Sequence, residues 1–207
     1  MFRPVGLAPA GPQIEEDFTF MSQATATTAP KFSVRDLCYA GLFAAVIAVM
    51  AQISIPMPLG VPMTMQTFAI TLAAVVLGSK LSAVATLVYL ALGAVGVPVL
   101  ANFSGGIDKF VGPTGGFLIS FPLMAYIIGL GVEHRNAFKG AFTLAVVVGT
   151  LVNYVVGVIL FVIVAHSTVA VGITACVLPF IPTAIIKAVL ACAIGLNIRK
   201  RIPGLKA

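Results

Sequence analysis

"AFTLAVVVGTLVNYVVGVILFVIVA", residues 141–165, contains no charged side chain, and its polar members are only Thr143, Thr150, Asn153 and Tyr154. The run exceeds the ~20 apolar residues with which an α-helix crosses a hydrocarbon core, and far exceeds the ~10-residue alternating strand of an outer-membrane barrel. It reads as a membrane helix. The whole chain shares this character: of 207 residues, 60% are hydrophobic and 9% charged, with a mean hydropathy of +1.12. Soluble domains carry about a quarter charged residues.

Working outward, six apolar segments can be drawn, at about 36–55, 64–79, 81–101, 112–132, 140–165 and 174–198. The second is the weakest, because Pro62 and the "GSK" turn at 78–80 leave it barely the length to span. The pattern predicts an all-α membrane protein, a six-transmembrane-helix bundle occupying residues 31–207. Residues 1–30, rich in Pro, Ala, Thr and Gln with "EED" at 15–17, lack an apolar signal core and read as a disordered tail or leader.

Six spans put both termini on one side. That side would collect Lys31, Arg35, Lys80, Arg135, Lys139, Arg199, Lys200, Arg201 and Lys206, leaving Lys109 in the opposite loops. Short loops rich in Lys and Arg stay inside, so both termini are predicted to be cytoplasmic. The net charge of +6 therefore sets topology and does not signal nucleic acid.

The outer loops are unlike the inner ones. "SIPMPLGVPMTMQTF" at 54–68 is punctuated by prolines, and "VPVLANFSGGIDKFVGPTGGF" at 97–117 is dense in glycine and polar residues. The second runs into "PTGGFLISFP", residues 113–122, which carries a glycine pair at the mouth of a span and Pro122 within it. Irregular backbone at membrane depth is tolerated where it lines a cavity or is buried in protein. Either the outer half of the bundle encloses a ligand, or Gly115 and Gly116 permit close helix crossing.

Ionisable residues within a span cost ~2.5–3.5 kcal/mol on insertion scales, and Lys187 is the clear case. Counted from Phe180, it lies about 10 Å below the outer surface at ~1.5 Å per residue. Its side chain either snorkels to the headgroups or, leaning towards the helix N-terminus, reaches into an outer pocket. The spans hold no carboxylate to pair with it, which makes an incoming anion the natural partner. Thr64, Gln66, Asn102, Thr183, Asn153 and Tyr154 gather at the same level. Side-chain amides offer donor and acceptor together, suited to an amide- or urea-like ligand, although Asn153 serves equally as glue between helices. Asp108 and Lys109 form either a solvated surface pair or part of a lid.

No catalytic constellation is visible: His134 and His166 fall in loops on opposite sides, so an enzyme is not expected. Cys38, Cys176 and Cys192, odd in number and widely spaced, read as small apolar residues. Metal and cofactor are not expected either. The chain has no phosphate-binding loop and no paired acidic residues within the spans, so a transporter of this kind would draw energy from another subunit. Ala40, Ala44 and Ala48 recur every four residues in "YAGLFAAVIA", a smooth strip on which a partner helix can dock.

The segments "VPMTMQTFAITLAAVVLGSKLSAVATLVYLALGAVGVPVLA", "SGGIDKFVGPTGGFLISFPLMAYIIG" and "LPFIPTAIIKAVLA" resemble the BioY family, the biotin-specific substrate-capture (S) components of energy-coupling factor (ECF) transporters. The resemblance covers nearly everything after residue 35. It implies a multi-pass protein of the bacterial or archaeal cytoplasmic membrane that binds biotin from outside. It implies two kinds of partner, a transmembrane coupling subunit and two cytoplasmic ATPases. The Ala40, Ala44, Ala48 strip is similar to the family's docking motif for the coupling subunit. The family's Asp-x-x-Lys pattern is matched at Lys187 but carries Ala184 at the aspartate position, so Thr183 or Asn153 would have to substitute. Lys187 would meet either the ligand carboxylate or the ureido oxygen, Lys109 is the other candidate for the carboxylate, and Gln66, Asn102 or Asn153 would meet the ureido group. The competing reading is a self-sufficient secondary carrier for a small vitamin-like anion.

Overall fold

Backbone that leaves water has to close its hydrogen bonds within itself, and helices do so segment by segment. The computed structural model describes residues 33–57, 60–137 and 140–202 and is built chiefly of helices. The expected tail at 1–30, together with Lys31, Lys139 and Lys206, lies outside the described residues. Arg35 onwards forms one compact unit.

In chain order the elements are α1 (Val34–Ala51), the short strands β1 (Ser54–Ile55) and β2 (Met63–Thr64), α2 (Gln66–Leu77), α3 (Ser79–Ala94), a 3-10 turn at Ala101–Phe103, α4 (Asp108–Val111), α5 (Gly115–Glu133), α6 (Ala141–Val164), α7 (Val169–Cys176), a second 3-10 turn at Leu178–Phe180, and α8 (Ile181–Arg201). Among the described residues, four stretches, Val34–Ala51, Gly115–Glu133, Ala141–Val164 and Val169–Arg201, are long and apolar enough to cross a membrane. Helices α2 and α3 have 12 and 16 residues. At 1.5 Å per residue they reach about 18 and 24 Å, short of the ~30 Å hydrocarbon core.

Two boundaries differ from the sequence expectation. The segment drawn to residue 101 ends as helix at Ala94, because Gly96 adopts φ +99° and Pro98 has no N–H to continue the ladder. The last segment begins with α7, then breaks at the turn around Pro179 before α8 starts. The proline-rich loop after α1 contains a hairpin, Ser54 opposite Thr64 and Ile55 opposite Met63, that the sequence reading left as a structured loop.

Helices α2 and α3 meet at Gly78, whose φ of +83° favours glycine. The broken ends of the two helices are satisfied by neighbours. The Glu133 carboxylate at the end of α5 accepts from Ser79 N at 2.7 Å and from Ser79 Oγ at 2.8 Å. Arg199 Nη1 donates to the carbonyls of Val75 and Val76 at 3.2 and 3.1 Å. This end of the bundle is thereby fastened by protein groups.

The core lies where α1, α2, α3 and α5 converge, with Ile47, Ile70, Tyr89 and Leu100 fully buried. The outward faces of α6 and α8 are apolar: Leu151, Val155, Ile159 and Ile163 on one, Ile185, Ile186, Val189 and Leu190 on the other, are all exposed. A bundle that is apolar outside and keeps polar groups within is the arrangement that lipid requires.

Candidate functional site

The stretch Pro113–Pro122 enters the structure as the start of α5, and its glycines serve packing. A Cβ on Gly116 would come within 2.6 Å of the Val156 carbonyl oxygen and 2.8 Å of Leu160 Cβ, both on α6. A Cβ on Gly115 would collide with the Phe110 backbone. Close crossing of α5 on α6 is what Gly116 permits, whereas Gly115 makes room for the Phe110 backbone of α4. The crossing seats α5 so that Phe117, Leu118 and Phe121 form part of a cavity wall, with Thr114 beside them.

That cavity has a volume of about 320 Å³, within the range of small-molecule sites. Thr64, Gln66, Asn102, Asn153, Tyr154 and Lys187 all line it, as does Lys109. The hairpin contributes Val61 and Pro62, the loop after α3 contributes Leu100, Ala101 and Ser104, and Phe180 closes the side next to α8. Among the described residues no carboxylate lines it.

Lys187, 8% exposed, donates through Nζ to the carbonyl oxygen of Thr64 at 2.9 Å. An ammonium has three donors, so one neutral carbonyl leaves two for another partner. Its side chain turns inward to the cavity, not outward to lipid. Gln66 is held by a chain of hydrogen bonds: Nε2 donates to Tyr89 Oη at 2.5 Å, and Oε1 accepts from Thr64 Oγ1 at 2.8 Å. Tyr89 is fully buried, which anchors the amide in one orientation.

Asn153, on α6, donates through Nδ2 to Phe117 O at 3.1 Å and to Ser120 Oγ at 2.8 Å, both on α5. Its amino group thus fastens α5 to α6, and the carbonyl oxygen is the end left for the cavity. The bonds to α5 are those of a residue that glues helices together, and the same residue lines the cavity. Asn102 sits on the loop after α3 with φ +58°, and its Oδ1 accepts from Ser54 Oγ. Tyr154 packs against the apolar cluster of Val61, Phe161 and Phe180.

Thr183 does not line this cavity; its hydroxyl donates to Phe180 O at 2.9 Å. Beneath the main cavity, Ala184 borders a pocket of about 20 Å³ shared with Lys187, Asn153, Thr67, Thr71 and Thr150. The Asp108–Lys109 pair is formed, 3.0 Å apart, with Asp108 66% exposed. The Lys109 ammonium holds the Asp108 carboxyl below the usual carboxylate range.

The Ala40, Ala44, Ala48 strip faces inward. Ala40 and Ala44 are 2% and 3% exposed, and Ala44 belongs to the core cluster against which Ala48 packs. A partner using these alanines would have to displace that packing. Among the described residues there is no cluster of metal-ligating side chains, and Cys38, Cys176 and Cys192 are unpaired thiols.

Aromatic and aliphatic walls with convergent polar groups make a site for a small ligand having an apolar body, a hydrogen-bonding head and a negative charge. The comparisons with known proteins point the same way. A biotin transporter BioY of Thermotoga maritima is 42% identical over 167 residues, covering 81% of this chain and 97% of that protein. The biotin transporter BioY of Rhodobacter capsulatus is 35% identical over 181 residues, covering 82% and 95%. The crystal structure at 2.1 Å of the S-component for biotin from an ECF-type ABC transporter superposes with a TM-score of 0.74 at 28% identity, covering 82% of this chain and 93% of that one. Residues 21–204 match the BioY family model, and the chain belongs to that family, one of transporters and not of enzymes.

Proposed function

We propose that the chain captures biotin at the outer face of a bacterial or archaeal cytoplasmic membrane, as the substrate-specific subunit of an ATP-driven ECF transporter. The observation that carries this reading is the cavity in which Lys187, Gln66, Asn102 and Asn153 converge, in a chain whose relatives are named biotin transporters. Biotin's bicyclic body suits the walls of Phe117, Leu118, Phe121 and Phe180. Its ureido group suits the side-chain amides, and its carboxylate suits Lys187 or Lys109.

Six crossings with both termini cytoplasmic are part of the proposal. Helices α2 and α3 would make the two shorter ones, helped by the loops at their outer ends, and the basic residues Lys80, Arg135, Arg199, Lys200 and Arg201 would face the cytoplasm. Energy would come from a transmembrane coupling subunit and two cytoplasmic ATPases.

The test is a binding isotherm of the detergent-purified protein for biotin, run beside dethiobiotin and unrelated vitamins. Saturable binding that prefers biotin is expected, and its absence overturns the substrate. Uptake into liposomes is expected only when the coupling and ATPase subunits are added. Uptake without them that collapses with an ion gradient would establish the secondary carrier instead.

A further inference from the structure

The wall of the cavity formed by Leu100, Ala101, Asn102 and Ser104 is a tight turn in an unfavourable conformation. Ser104 N donates to Ala101 O at 3.3 Å, and Leu100 N to Ser104 O at 2.9 Å. The two residues between, Asn102 and Phe103, have φ +58° and +52°. An i to i+3 bond with both central residues left-handed is the geometry of a type I′ turn, which prefers Asn followed by Gly. Here phenylalanine occupies the glycine position, where a left-handed backbone brings its Cβ too close to the following carbonyl oxygen. Phe103 recovers little of that strain by burial, being 71% exposed.

Such strain persists only where surrounding contacts over-determine it. Most of these contacts come from Gln52, with one more from Ser54. Gln52, at the end of α1, accepts from Phe103 N through Oε1 at 2.7 Å. Its Nε2 is spread over Val99 O and Leu100 O, both at 3.2 Å, and Ala48 O at 2.9 Å. Two residues on, Ser54 Oγ donates to Asn102 Oδ1. The side chain of Gln52 does not line the cavity, yet it fixes both ends of the turn that does.

We infer that Gln52 is a positioning residue for ligand capture, a latch that holds the strained 100–104 turn over the pocket and keeps Asn102 at its wall. This rests on the biotin-capture reading for its functional consequence but not for its structural one. With the latch removed, the turn relaxes out of the left-handed region and the pocket mouth opens. Because Phe103 is the source of the strain, replacing it with glycine removes the need for the latch.

The experiment compares Gln52→Ala, Ser54→Ala, Phe103→Gly and the Gln52→Ala/Phe103→Gly pair with the parent, all detergent-purified and checked for a monodisperse profile. In ligand-free protein, amide hydrogen exchange at 99–104 is expected to rise in Gln52→Ala and to return towards the parent in the double variant. Biotin dissociation is expected to quicken about tenfold in Gln52→Ala, less in Ser54→Ala, with substantial recovery in the double variant. Unchanged exchange in Gln52→Ala overturns the latch whatever the ligand. Equal losses in single and double variants also overturn it, because a generally damaged fold is not repaired by a glycine. If the parent holds no biotin while exchange follows the expected pattern, the substrate reading fails and the latch stands.

Discussion

Lys187 Nζ sits 2.9 Å from the carbonyl oxygen of Thr64, so a buried ammonium on α8 is fixed against strand β2 at the mouth of α2. The contact orients the charge without neutralising it, since a carbonyl brings only a dipole. Gln66, two residues after Thr64, is oriented by Tyr89 and Thr64 in the same network. The outcome is a preset donor group on the cavity wall, and preorganisation of this kind lowers the ordering cost of binding an anion there.

Replacing Lys187 with methionine should therefore separate affinity from stability. Losing a charge-assisted bond worth ~1.5–3 kcal/mol should weaken biotin binding by roughly tenfold to a hundredfold. Because a buried unpaired charge is itself costly, the melting temperature of the ligand-free protein should hold or rise. Calorimetric titration and a detergent-phase melt check the two parts, and unchanged affinity removes Lys187 from the site.

The polar half of the site is legible in the sequence because polarity inside a span is expensive and calls for a reason. Lys187, Gln66 and Asn153 stand out from apolar surroundings on that ground, and all three line one cavity. The apolar half is not legible. Phe117, Leu118 and Phe180 are chemically the same as Ile159 or Ile185, which face outward, and a lipid-soluble helix shows too little contrast between its faces. Gln52 is missed for another reason: its partners Val99 and Phe103 lie 47 and 51 residues away, and no local pattern reports such a contact. For the alanine strip the sequence does not separate two uses, since small residues at four-residue spacing serve packing within a chain as readily as docking between chains. Of the fold, the apolar segments locate the helices, while the hairpin strands, two residues each, are too short to leave a periodicity.

Asn153→Ala should lower stability and affinity together, in contrast to Lys187. The substitution removes both bonds by which α6 holds α5 at Phe117 and Ser120. Interhelical hydrogen bonds in membranes contribute about 0.6–2 kcal/mol, so the melting temperature should fall by a few degrees. Phe117, released from its place in the wall, should carry the affinity down with it. An intact melt with reduced binding would show that Asn153 contacts the ligand without positioning α5.

Glu133→Ala should do the opposite of Lys187→Met, costing stability and sparing the ligand. Its carboxylate is the acceptor for Ser79 N and Oγ at the elbow between α2 and α3, at the far end of α5 from the cavity. An orphaned buried N–H costs about 1–3 kcal/mol, and Arg199 loses a nearby counter-charge as well. A lower melting temperature with biotin affinity within about twofold is the expected pair of results. A large loss of affinity would mean that the two ends of the bundle are coupled.

Asp108→Asn should accelerate biotin association. Asp108 pairs with Lys109 at 3.0 Å, and Lys109 lines the cavity mouth, so the carboxylate competes with any incoming anion for that ammonium. The pair's sign with pH is fixed by the lowered Asp108 value: the ion pair is present above the unfolded carboxylate value and is lost only as pH falls through the depressed folded one. At neutral pH it is fully formed, and substitution is the way to release Lys109. The partners are exposed, so the effect should be a severalfold faster on-rate at low salt that disappears as the Debye length shortens from ~30 Å at 0.01 M to ~3 Å at 1 M. Stopped-flow association across a salt series measures it. An on-rate unmoved at every ionic strength would leave Lys187 as the cation that meets the carboxylate, because a ligand drawn in by Lys109 cannot be indifferent to the charge beside it.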